Sequence, residues 1–174
     1  DAGSGCGFSA ANGSQPNTNP LLAPLQLISS TYVLPLLPGS PAIDFGVAAD
    51  CPATDQRGVI RPQGSACDSG AFESQGFTLT VTGGSWQTAT IYSPFAQPLT
   101  VTVSSVDGSP TGPGGIVTFT PPSSGAGLTV TDPFTANTNA AGVASSGVIT
   151  ANAVTGSYDV TANVRGESIS ITGF

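Results

Sequence analysis

Lysine, histidine and methionine are absent from this 174-residue chain, whose only cations are Arg57, Arg61 and Arg165. Without histidine no Ser-His or Cys-His nucleophile can be assembled. Three cations against ten acidic residues leave a net charge of −7. That excludes the basic footprint a nucleic-acid partner needs and the polybasic patch that binds anionic lipid. Charged residues make up 7% of the chain, against roughly 25% in globular proteins, so solubility rests on Ser, Thr, Asn and Gln. No run approaches the ~18 apolar residues that a spanning helix requires. The glycine pattern Gly112-Pro113-Gly114-Gly115 has no lysine after it, which removes a phosphate cradle. No cofactor is implied.

What is present reads as folded and all-β. Hydrophobic residues reach 39%, enough for one large or two small cores at this length. The chain starts at Asp1, with neither initiator methionine nor signal peptide, so a processed mature chain or one isolated from its natural source is expected. Its cysteines, Cys6, Cys51 and Cys67, fit an oxidising compartment.

Polarity is concentrated in one block, Leu37 to Glu73. It holds Cys51, Cys67, Arg57, Arg61 and five of the ten acidic residues. Upstream, the apolar stretch from Leu21 to Leu37 is broken by Pro24 and Pro35, with Pro20 just before it. Those prolines exclude a long helix and a central strand, leaving short strands with corners, as in the coils of a parallel β-helix. Downstream the texture changes to alternation: Phe77, Leu79 and Val81; Leu99, Val101 and Val103; Val117 and Phe119; Val148 with Thr150; Tyr158 to Val164; Ile169 and Ile171. Turn signals at Asp107-Gly108, Pro113 to Gly115, Pro121-Pro122, Asn139 to Gly142 and Thr155-Gly156 separate these runs. Short strands so spaced suggest a β-sandwich. The boundary falls at Ser74 to Gly76, giving an N-terminal unit over 1–75 and a C-terminal unit over 76–174. Separate cores and weakly coupled stabilities are expected for the two.

The runs LLPGSPAIDFG and CPATDQRGVIRPQGSACDSGAFE resemble the terminal motif of bacterial surface proteins built on a right-handed parallel β-helix, the choice-of-anchor type. SGCGFSAANG and NPLLAPL resemble the last coils of that family, although the many coils that normally come first are missing. QTATIYSPFAQPLTVTV, GGIVTFTPPSSGAG, NTNAAGVAS and GSYDVTANVRG resemble a bacterial immunoglobulin-like domain of the invasin/intimin kind. The resemblances imply short β-helix-like terminal coils with a tied cap, followed by an Ig-like sandwich serving as a stalk or spacer. Tyr158-Asp159-Val160 sits where an Ig fold shows its corner tyrosine and second cysteine; valine there implies no inter-sheet disulfide.

Cys51 and Cys67 form the favoured chemical pair. A bridge would close 15 intervening residues, worth about 3 kcal/mol by loop entropy. Free buried thiols are the alternative; a metal site lacks histidine and Cys-x-x-Cys spacing. Cys6 is left over, either buried and inert or bonded to another chain. Asp44, Asp50, Asp55, Asp68 and Glu73 surround Arg57 and Arg61. A calcium site or a glycosidase-like carboxylate pair is one reading. Ion pairs of Asp44, Asp55 and Asp68 with Arg57 and Arg61, together with carboxylate-to-backbone bonds, holding a cap together, are the reading preferred for a terminal block. Arg165, in a turn beside Gly166, is expected to be dispensable. Trp86 with Tyr92 and Phe95 is either a sugar-stacking platform or, more ordinarily, core or domain-junction packing.

These features point to an extracellular, non-enzymatic structural protein of a bacterial cell surface. Its first-choice partner is itself, in a head-to-tail polymer with contacts at Cys6, Phe8, Ile169, Ile171 and Phe174. The alternative is a stalk or binding fragment of a larger adhesin that recognises carbohydrate or a host surface. An enzyme acting on polysaccharide comes last.

Overall fold

The computed structural model describes residues 14–130, 134–165 and 167–174. Among them there is no α-helix, only a short 3-10 turn at Ala48–Asp50. The strands are β1 (Gln26–Ile28), β2 (Thr31–Val33), β3 (Phe77–Gly83), β4 (Thr100–Ser105), β5 (Ile116–Thr120), β6 (Phe134–Asn137), β7 (Val143–Ser145), β8 (Val160–Val164) and β9 (Glu167–Ile171). All pairings between them are antiparallel.

The N-terminal block departs from the parallel coils expected of it. β1 and β2 pair antiparallel, Ile28 opposite Thr31, so only Ser29 and Ser30 make the turn. Both serines have positive φ, 49° and 68°, the condition for a two-residue turn whose twist matches the hairpin. A bridge between Leu22 and Leu36 continues the hairpin outward. A chain that reverses in two residues cannot make the crossover that parallel pairing needs. From Gly39 to Gln75 the block is held by loops and the Cys51–Cys67 disulfide, whose Cα atoms lie 6.1 Å apart.

The C-terminal part forms two antiparallel sheets, β3-β4-β7 and β6-β5-β8-β9. Alternation explains how each strand presents an inner face. Val101 and Val103 of β4, Val117 and Phe119 of β5, and Val160, Ala162 and Val164 of β8 are buried, and their neighbours are not. Phe119 stacks on Phe134 of β6 at 5.4 Å. The Val148–Thr150 run is no strand: it makes an isolated bridge between Pro94 and Thr150. There Val148 is 82% exposed and Ile149 takes the core position.

The expectation of separate cores is not met. Val33, Leu36, Ile43 and Phe72 of the first block belong to the same buried cluster as Phe77, Val103, Val117 and Val164. Backbone bonds cross the junction, from the Ile116 amide to the Pro38 carbonyl (2.7 Å) and from the Val106 amide to the Gly76 carbonyl (3.0 Å). Antiparallel order then fixes the long axis. The block meets the start of β3, the end of β4, the start of β5 and the end of β8. The opposite end of the sheets is built from the end of β3, the approach to β4, the start of β8 and the residues after β9.

Candidate functional site

Two places concentrate side-chain chemistry, one at each end of the sheets. The first is the polar centre of the N-terminal block. Asp55 accepts from the amides of Arg57 (2.7 Å), Val59 (3.0 Å) and Glu73 (3.0 Å), and from Nε of Arg57 (2.9 Å). Burial by itself would raise its pKa, but these donors outweigh burial and hold it below the ordinary value. Arg57 Nη1 also donates to Asp107 Oδ2 at 2.9 Å, its Nη2 reaches the Glu73 carbonyl, and its guanidinium lies 3.7 Å from the centroid of the Phe72 ring. The Arg57 side chain is 3% exposed and that of Asp55 wholly buried. Every charge in this pair therefore has a partner, the condition under which a buried pair is tolerated.

Arg61 is the second anchor. It donates to the carbonyls of Asp68 (2.9 Å) and Gly70 (2.7 Å), with the Glu73 carboxylate 3.6 Å away. Glu73, fully buried, accepts from the amides of Gln63 (2.8 Å) and Asp68 (2.9 Å). Asp68 accepts from the amides of Asp44 (2.9 Å) and Ser74 (2.6 Å). Burial pushes its carboxyl up to about 6 against those two donors, with the charges of Glu73 and Asp44 adding to the push. Asp44 accepts from the Ala66 amide at 3.1 Å. Gly46 lies against the bridged cysteine: its amide donates to the Cys67 carbonyl, and a Cβ there would fall 2.7 Å from that oxygen.

The expected ion pairs are therefore corrected in part. Arg57 pairs with Asp55 as anticipated, whereas Asp44 and Asp68 serve as acceptors for backbone amides rather than as arginine partners. The acidic partner of Arg61 is Glu73, and Asp107, from the sandwich, was not anticipated at all. Carboxylates so occupied by their own chain are spoken for, and no His/Cys/Asp/Glu group among the described residues is arranged to hold a metal ion. Arg165, expected to be dispensable, donates from Nη1 to the Pro41 carbonyl at 3.2 Å and thereby spans the junction.

The second place is a groove of about 330 Å³ at the far end. Phe174 lies at its floor, edge-on to Phe95 at 5.4 Å and stacked on Tyr158 at 5.3 Å. Trp86 stands beside it, 81% exposed, so it is neither core nor junction packing. The Tyr158 hydroxyl is buried without a hydrogen-bond partner among the described residues, and burial pushes its pKa up to about 12. That orphan departs from the corner tyrosine of an Ig fold, whose hydroxyl bonds to backbone.

Of the residues expected at assembly contacts, Ile171 and Phe174 are buried and Ile169 packs against the core. Ile169 and Ile171 face inward because β9 pairs with β8 as the edge strand of the second sheet. Cys6 and Phe8 lie outside the described residues. Sequence alternation marked β9 as a strand but could not tell which of its faces would be covered.

No family model, no curated protein and no solved structure matches this chain.

Proposed function

We propose that this chain is a non-enzymatic, extracellular structural protein that assembles with further copies of itself through the face of its N-terminal hairpin. The observation that carries this reading is the apolar surface there: Leu22, Leu25, Leu27, Tyr32 and Leu34 are all exposed, from 41% to 67%. A two-stranded hairpin of this kind is marginal in water without a covering layer. Contiguous exposed apolar surface marks an interaction site more often than isolated residues do. The disulfide supports an oxidising location. The occupation of Asp44, Asp55, Asp68 and Glu73 by donors of their own chain supports a structural role over an enzymatic one.

The sheet order supports an Ig-like domain behind that face. Counted from β3, the first, second and fifth strands share one sheet, and the fourth, third, sixth and seventh share the other. This is the constant-type arrangement with its fourth strand moved across. The full burial of Val160 supports reading it as the counterpart of that fold's second cysteine.

Sedimentation and electron microscopy of the native protein test the assembly. Oligomers that Leu27→Asp and Tyr32→Asp dissolve without loss of fold are expected. A monodisperse monomer at millimolar concentration overturns it and leaves the second reading, a stalk fragment of a larger adhesin. The clamped junction favours that reading, since a stalk must transmit force without hinging.

A further inference from the structure

We infer that the groove at the far end of the sheets binds a neutral oligosaccharide, with Trp86 as its stacking platform. This deepens the stalk reading by giving the fragment a ligand site, although the site itself does not require that copies remain apart.

Charge comes first. In a chain of net charge −7, not one charged side chain lines this groove. An ionic ligand would lose its hydration there without a counter-charge in return. A ligand rich in hydroxyls and apolar C–H faces, carrying no charge, suits it. The lining supplies both halves of that match: aromatic rings of Trp86, Tyr158 and Phe174, and the exposed hydroxyls of Thr88, Thr155 and Ser157.

Preorganisation comes second. Trp86 holds a φ of 57°. Positive φ in a bulky residue is a genuine outlier and persists only where the surroundings enforce it. The enforcement is visible. The Trp86 amide donates to the Thr172 carbonyl at 3.0 Å. The indole lies so close over Gly173 that a Cβ on that residue would come 2.4 Å from its Cε3. The fold thus holds its only tryptophan in one strained, exposed posture that core stability does not require. Rigid aromatic surface lowers the entropy cost of stacking a ligand.

Because Trp86 is the only tryptophan, intrinsic fluorescence reads this site directly. The intact chain would be titrated with neutral cello-, xylo-, malto- and chito-hexaose, with polygalacturonate as the acidic control. A saturable emission shift with at least one neutral hexaose is expected. Calorimetry should then show binding weakened about tenfold or more by Trp86→Ala, and weakened also by Gly173→Ala, which displaces the indole. Val148→Ser, exposed and outside the groove, should bind as the parent does. No emission change with any neutral hexaose at millimolar concentration overturns the inference, as does binding indifferent to Trp86→Ala or response to the polyanion alone. Self-association seen by sedimentation without saccharide and abolished by Trp86→Ala would also overturn it and make the groove a contact between copies. None of these outcomes bears on whether the junction is stiff, which unfolding cooperativity measures separately.

Discussion

Arg57 and Asp107 are 50 positions apart, yet Nη1 of one lies 2.9 Å from Oδ2 of the other. The arginine belongs to the disulfide-tied block and the aspartate to the turn after β4. Their contact joins the two halves at the same place where the shared apolar cluster passes between them.

Removing that arginine should therefore be felt throughout the molecule. Arg57→Ala leaves Asp55 buried beside an empty position and frees Asp107, and breaking a buried pair costs about 3–5 kcal/mol. Asp107→Asn, which keeps the shape and loses the charge, should cost less. Chemical denaturation followed by Trp86 fluorescence and by far-ultraviolet dichroism should give coincident curves in every variant. Two separated transitions would contradict the shared core.

Loss of the disulfide in Cys51→Ser should lower global stability by about 3 kcal/mol. Because the core is contiguous, the reduction should shift the unfolding of the sheets as well as that of the block. Thermal melts with and without reductant, read at Trp86, check this.

Arg165→Ala should destabilise by about 1 kcal/mol, the scale of one hydrogen bond, through loss of its bond to the Pro41 carbonyl. A melting temperature equal to the parent's would restore the view that this arginine is dispensable.

The pH dependence should have two limbs. Asp68 has a folded pKa of about 6, above its unfolded value. Its contribution is thus fully present below the unfolded value and is lost as pH rises through about 6, on the order of 2 kcal/mol. Asp55 and Asp107 are held low. Their contribution is present above the ordinary carboxylate range and disappears as pH falls through their folded values. The melting temperature should accordingly peak near the ordinary carboxylate range, at about pH 4, and decline on the neutral side as pH rises to about 6, levelling off above it. Asp68→Asn should flatten the neutral limb alone.

Several parts of this fold were open to sequence reasoning because they depend on local pattern. Period-two alternation located β3, β4, β5, β8 and β9, since a strand with one covered face must alternate. β6 and β7 escaped notice because FTAN and VAS are too short to show a period. The Val148 register was misread by one residue, and a shift of one exchanges the two faces of a strand. Asp55 with Arg57 was legible because neighbours in sequence can hardly avoid each other. Asp107 was not, since nothing in a turn aspartate announces a guanidinium from another segment.

By itself, then, the sequence determined an all-β chain with three cations against ten acidic residues, and it favoured the Cys51–Cys67 bridge. Composition and short-range periodicity suffice for these. Tertiary structure alone decided that the two halves share one core, that Ser29 and Ser30 reverse the first strands into a hairpin, and that Trp86 faces outward over Gly173. Each of these depends on groups brought together from distant segments, where packing and hydrogen-bond partners choose among conformations that the local sequence leaves nearly equal in energy.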